Sequence, residues 1–198
     1  MTLVLKNVKT GGAKKDLGRI PDGTYPARIA QVVDFGIQPQ TDYQTGAPTE
    51  SKPRLMITFE VPSERIKFED KEGNEVDRPR WIGKEYTIST FEKSNLMKLV
   101  QTLKPDAASF DQLLDLPCLL SVGSTKTGNA KVTNVMQVMA GVEVPELENP
   151  ATYFDFDVPD QELYMSLPRW QREKIKEAEN YSGFADTWLE ETDEDLPF

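Results

Sequence analysis

The chain has 198 residues, a formal net charge of −10, one cysteine and no histidine, a size that suits one domain of about 140–150 residues plus an appendage. The lone Cys118 excludes an internal disulfide, and without histidine there is no His-based triad and no zinc ligand set. No apolar run reaches the ~18 residues that cross a bilayer, and Met1 to Lys15 lacks the apolar core and cleavage site of a signal peptide, so the expectation is a protein of a reducing cytoplasm that uses no membrane.

Residues 1–19 mix Lys6, Lys9, Lys14, Lys15 and Arg19 with Gly11 and Gly12 and read as an N-terminal arm. Gly23 to Phe35 is β-branched enough for a first strand, with Pro26 confining its start to an edge or a bulge. The stretch 36–53, rich in Gln, Thr, Gly and Pro and holding Tyr43, reads as a long loop. Arg54 to Val61 alternates cleanly, with Leu55, Ile57, Phe59 and Val61 on one face, and is the second strand. Residues 63–82 form a charged excursion, a hairpin about Lys71 to Asn74, that returns Arg78, Arg80 and Trp81 to the body. Gly83 to Thr90 is a third strand, with Tyr86 and Ile88 sharing a face. Ser94 then caps a helix whose Leu96, Leu99, Val100 and Leu103 recur at helical spacing until Pro105. Pro117 to Gly123 and Ala130 to Met139 are strands four and five, joined through Thr125 to Asn129, and Cys118 within Leu116 to Leu120 is a buried structural thiol.

Five short strands with a helix between the third and fourth is the order of an OB-fold, a Greek-key barrel, over residues 20–140 of a mainly β protein. Residues 141–180 lose the strand pattern and read as a linker, or an extended segment packed on the barrel, with a peripheral helix from Leu167 to Asn180. From Tyr181 to Phe198 there are six acids and no base, and a disordered acidic tail is expected. The charge is split accordingly: residues 141–198 hold 16 acids and 4 bases, a net of −12, which leaves +2 on residues 1–140. A near-neutral body with basic patches is compatible with an anionic ligand, whatever the total says.

Enzyme chemistry has little to build on. Gly11-Gly12 before Ala13-Lys14-Lys15 lacks the strand and spacing of a phosphate loop, and Glu69-Asp70 or Asp155 and Asp157, which could hold magnesium in a nuclease, read as solvated acids. No catalytic residue, metal or cofactor is assigned. An OB barrel instead binds single strands across strands two and three, using cations for phosphates and rings for bases. The candidates are Arg54, Lys84 and Tyr86 on those strands, Tyr43 in the first loop, Lys126 and Lys131 at the last, and Arg78, Arg80 and Trp81 at the entry to strand three.

The final Asp193-Glu194-Asp195-Leu196-Pro197-Phe198 closely resembles the acidic, Pro-Phe-ending tip of bacterial single-stranded DNA-binding proteins. Gly23-Thr24-Tyr25-Pro26-Ala27-Arg28, Lys84-Glu85-Tyr86-Thr87-Ile88-Ser89 and Glu92-Lys93-Ser94-Asn95-Leu96 look like phage-encoded members of that class. The resemblance implies a non-enzymatic protein that coats single-stranded DNA in replication, recombination or repair in the cytoplasm of a bacterial host. Its tip would dock on partners such as a polymerase, helicase or primase, nuclease or recombinase. The 63–82 excursion and the 141–180 extension depart from a minimal bacterial domain, so bacterial-type tetramer formation is not carried over. The rival is a phage protein-binding or structural module whose barrel never touches DNA.

Overall fold

The computed structural model describes residues 19–42, 44–69 and 73–193, with side chains as far as Trp188. It is mainly β, an open sheet of six strands: β1 (Gly23–Thr41), β2 (Pro48–Glu69), β3 (Glu75–Thr87), β4 (Pro117–Ser124), β5 (Ala130–Met136) and β6 (Thr152–Phe154). Five follow the antiparallel path β3-β2-β1-β4-β5, while β6 runs parallel to β1 with Gln31 opposite Thr152. β3 and β5, the ends of the path, approach within 8 Å between Cα atoms, and no ladder joins them among the described residues.

The alternation in β2 decides where the core lies. Leu55, Ile57, Phe59 and Val61 point into the main core with Ala27, Ile29, Leu120 and Val132, and helix α1 (Asn95–Leu103) closes it with Leu96, Leu99 and Val100. Each such side chain contributes about 1.5–3 kcal/mol on leaving water. The cap is as expected: Ser94 Oγ accepts the Met97 N–H at 3.2 Å. The opposite face of β2, with Met56, Thr58 and Glu60, is buried as well. It lies beneath the chain beyond residue 141.

That C-terminal extension is a second packed layer. After β6 it forms α2 (Gln161–Ser166), α3 (Arg169–Lys176) and α4 (Phe184–Asp193), and Phe154, Phe156, Tyr164, Leu167 and Ile175 cover Val33, Phe35 and Met56 of the sheet. Asp160 caps α2 by accepting the Leu163 N–H at 2.8 Å, and Pro168 opens α3. The expected disorder from Tyr181 onward is corrected as far as Asp193, since these residues are helical after Gly183. The physical reason is a spacing that the acids conceal: Phe184, Ala185 and Trp188 share one face of α4, and Tyr181, just ahead of the helix, packs with them. Phe184 meets Tyr181, Trp188, Phe156 and Tyr164 with ring centroids 4.9, 5.3, 5.9 and 6.0 Å away.

The loop expected over 36–53 is also corrected. β1 and β2 continue pairing through Ile37↔Pro53, Gln38↔Lys52 and Thr41↔Pro48, with register shifts that absorb the prolines. One shift sits at Gly36, whose φ is +70° and where a Cβ would lie 2.7 Å from the Phe156 ring, so only glycine fits between sheet and extension. No helix among the described residues is long and apolar enough to cross a membrane.

Beside this bulge, Asp34 Oδ1 accepts the Gly36 N–H at 2.8 Å. Burial pushes the Asp34 carboxyl up to about 6; the Gly36 bond opposes this, while Asp157 and Asp155 add to it. A carboxyl raised above its unfolded value of 3.8 favours the protonated fold, so its penalty is absent below about pH 4 and complete above about pH 6. Asp34→Asn keeps the acceptor without the charge, and is expected to stabilise the fold at pH 7.5 by about 1–2 kcal/mol, or roughly 2–6 °C in melting temperature. The gain should vanish near pH 4; an equal gain at both pH values would show that charge is not the cause.

Candidate nucleic-acid interface

The entry to β3 supplies the richest collection of cations and rings. Trp81 stands across the ladder from Glu60, and its indole Nε1–H donates to Glu60 Oε2 at 2.9 Å. The same carboxylate accepts Asn149 Nδ2–H on Oε2 at 3.0 Å and the Glu148 backbone N–H on Oε1 at 2.8 Å. Glu60 is 0% exposed, so it acts as a buried clamp that draws the extension and the indole edge to one point. The Trp81 ring, held at its polar edge, remains 40% exposed. Arg78 lies exposed with its guanidinium 5.0 Å from the Phe68 ring centroid, and Arg80 donates from Nε to the Arg65 carbonyl at 3.2 Å. Arg65 itself is held by Asp77 at 2.7 Å and by Glu148.

These residues border a cleft of about 740 Å³. One wall is β3 from Arg78 to Ile82; the facing wall is the extension, with Asn149, Pro150, Thr152, Ser166 and Pro168. Arg19, Ile20, Gln31, Ile66 and Ala130 complete it. Arg19 Nη1 donates to Ser124 Oγ at 2.8 Å and to the Gly128 carbonyl, which fixes the β4–β5 turn at the mouth. Gly128 has φ +85°, as that turn requires. Lys126 is exposed within the turn, and Lys131 is exposed next to the lining residue Ala130. No carboxylate pairs with Arg78, Lys126 or Lys131 among the described residues.

Other expected groove residues have different employment. Tyr86 is 4% exposed in the main core, where burial pushes its hydroxyl well above the usual tyrosine range, so the expectation of a base-stacking platform there is corrected. Alternation along β3 places Ile82 and Tyr86 on the inward face, and no ring surface is left for a base. Lys84, between them, rests its Nζ 5.3 Å from the Tyr86 ring centroid, and burial lowers its pKa. Arg54 is committed to Glu85 Oε1 and Thr87 Oγ1, both at 2.6 Å. Burial pushes the Glu85 carboxyl up, but the hydrogen bonds from Lys174 and Arg54 outweigh it and hold the group below the usual range. Tyr43 and Glu194 to Phe198 lie outside the described residues, as does the Asp193 side chain.

Cys118 is buried and its thiol is pushed up to about 12 by burial, as an unreactive core position requires. Asp155 Oδ1 accepts the Asp157 N–H at 2.9 Å, a turn contact, and no group of three potential metal ligands occurs among the described residues. Sequence reasoning missed Arg19, Gln31, Asn149 and Thr152 as cleft residues. Nothing local marks them; they meet only because the extension folds back on β1 and β3. Comparison with known protein families, with curated proteins and with solved structures finds no match to this chain.

Proposed function

We propose that the chain is a non-enzymatic single-stranded DNA-binding protein of the phage-encoded kind. It coats single strands with little sequence preference during replication, recombination or repair in the cytoplasm of a bacterial host. The observation that carries this reading is the cleft in which Arg19, Arg78, Arg80 and a half-exposed, edge-pinned Trp81 meet at the mouth fixed by the β4–β5 turn. An OB barrel is supported by the path β3-β2-β1-β4-β5 with α1 between β3 and β4, which becomes the strand order of that barrel when β3 and β5 meet. Those two strands already approach each other.

Phosphates lie along Arg78, Arg80, Lys126 and Lys131, and a base stacks on Trp81 for about 1–3 kcal/mol. The acidic tip from Asp193 to Phe198 serves two ends. Phe198 enters an apolar pocket on a polymerase, helicase or primase, nuclease or recombinase partner, and the acids, part of a −12 segment beside a +2 body, imitate phosphates at the cleft when DNA is absent.

The test is a fluorescence titration with oligo-dT and with duplex at several salt concentrations. Three to five phosphate contacts predict a log–log salt slope of about −2 to −3.5 and a roughly 20- to 100-fold loss of affinity between 50 and 200 mM salt. Trp188 packs in the second core and Trp170 rests against Phe35, so the quenching should disappear in Trp81→Phe. Absence of any salt-dependent oligo-dT binding would sink the proposal and favour a barrel that binds only proteins.

A further inference from the structure

Coating a strand without regard to sequence requires cations and a ring, and the cleft holds more than these. At its inner end Gln31 of β1 and Thr152 of β6 are register partners, and both line the cavity. Gln31 is 6% exposed. Its Oε1 accepts from Gln171 Nε2 at 3.2 Å, and Gln171, on α3 behind it, is 2% exposed. The Gln31 Nε2 amide has no partner among the described residues. The buried Thr152 hydroxyl and the buried Gln171 Oε1 also lack one. A buried polar atom left unmatched costs about 1–3 kcal/mol, and folded proteins keep few of them. Two such atoms stand together, one of them on the cavity-lining Thr152 next to the unpartnered Gln31 amide, and they mark a surface built for the polar edge of a ligand.

The remaining lining says which ligand. A flat aromatic ring is fixed in the same cavity by the Glu60 clamp, and Arg78, with no carboxylate of its own, stands at the β3 wall. Ring, amide, hydroxyl and guanidinium complement a planar heterocycle that has both donors and acceptors on its edge and carries a phosphate. The cavity, at 740 Å³, lies inside the range of about 300–1,000 Å³ typical of small-molecule sites. We propose that the cleft is a nucleotide subsite. One base enters with its pairing edge on Gln31 and Thr152 and its face on Trp81, while its 5′ phosphate stays at Arg78. Every base offers an acceptor beside a donor on that edge, and an amide next to a rotating hydroxyl serves any of them. This rests on the single-strand proposal for the source of the base, but its geometry stands independently of it.

The full chain is titrated to millimolar concentration with dTMP and, separately, with 2-deoxyribose 5-phosphate. Binding is read from the Trp81 indole N–H resonance, assigned by its loss in W81F, and by calorimetry. The expected result is dTMP binding at least fivefold tighter than the sugar phosphate, weakened at least fivefold by Thr152→Val, which preserves size, and by Gln31→Leu if its melting is unchanged. Lys98→Ala, on α1, should leave dTMP binding within twofold. Equal binding of dTMP and the sugar phosphate, or a T152V protein that binds dTMP like its parent, overturns the subsite whatever the oligonucleotides do. A chain that takes dTMP in this way but binds no oligo-dT keeps the subsite and ends the coating proposal.

Discussion

Reversing the charge of Arg78 and Arg80 together, Arg78→Glu with Arg80→Glu, is expected to lower oligo-dT affinity by at least about 100-fold at 50 mM salt. Each arginine–phosphate hydrogen bond contributes about 1.5–3 kcal/mol, and 1.4 kcal/mol is a tenfold change. The salt slope should flatten by about 1.4, because each single-strand phosphate contact contributes about 0.7 to it. Lys84→Ala is the informative contrast. A groove that used Lys84 for a phosphate would lose affinity with it, whereas a lysine resting half-buried on the Tyr86 ring should leave oligo-dT binding within about twofold. Fluorescence anisotropy of labelled oligo-dT, with circular dichroism to check the fold, measures both. If Lys84→Ala matched the double reversal, the cleft would be the wrong surface.

Glu60→Ala should have the largest effect on stability. The substitution leaves three part-buried N–H donors, from Trp81, Glu148 and Asn149, without the fully buried acceptor that gathers them. At about 1–3 kcal/mol for each stranded group, with some relaxation at the cleft, the expected cost is about 3–5 kcal/mol and a fall in melting temperature of roughly 6–15 °C. Glu60→Gln retains one acceptor and should cost less. The two links can be separated by their readouts, since loss of the clamp also frees the Trp81 ring and should reduce the quenching that oligo-dT produces. A Glu60→Ala protein that melts within 2 °C of its parent would mean that the carboxylate does not hold the extension.

Much of the sheet is legible from short-range pattern. The alternation of Leu55 to Val61, the Ser94 cap and the Thr125 to Asn129 turn each depend on neighbours a few residues away, and all stand where the periodicities put them. Parity along a strand tells which residues share a face but not which face is covered. Tyr86 and Ile88 share a face as expected, but that face is turned to the main core, and Glu60 is buried only because a segment almost 90 residues away covers it. Prolines and glutamines in 36–53 suggested a loop because shifted pairing has no signature in composition. The aromatic face of Tyr181, Phe184 and Trp188 was lost among acids. Of the candidate site, Arg78, Arg80 and Trp81 were readable because a charged hairpin returning to a strand is a local event. The opposite wall was not, since Asn149 and Thr152 acquire their place only through tertiary packing.

The parallel pairing of β6 with β1 bears on how such a chain comes to be made. β1 pairs with β4 as far as Arg28 and then, from Gln31 to Val33, with a strand some 120 residues downstream. During synthesis the first five strands leave the ribosome first, with that stretch of edge and the apolar face of Val33, Phe35 and Met56 still bare. A contact so distant in sequence is slow to form, because a long loop must close before it is rewarded. The final third of the polypeptide is in this sense the seal on the nascent sheet, and a boundary drawn near residue 140 divides the composition without dividing the folding unit.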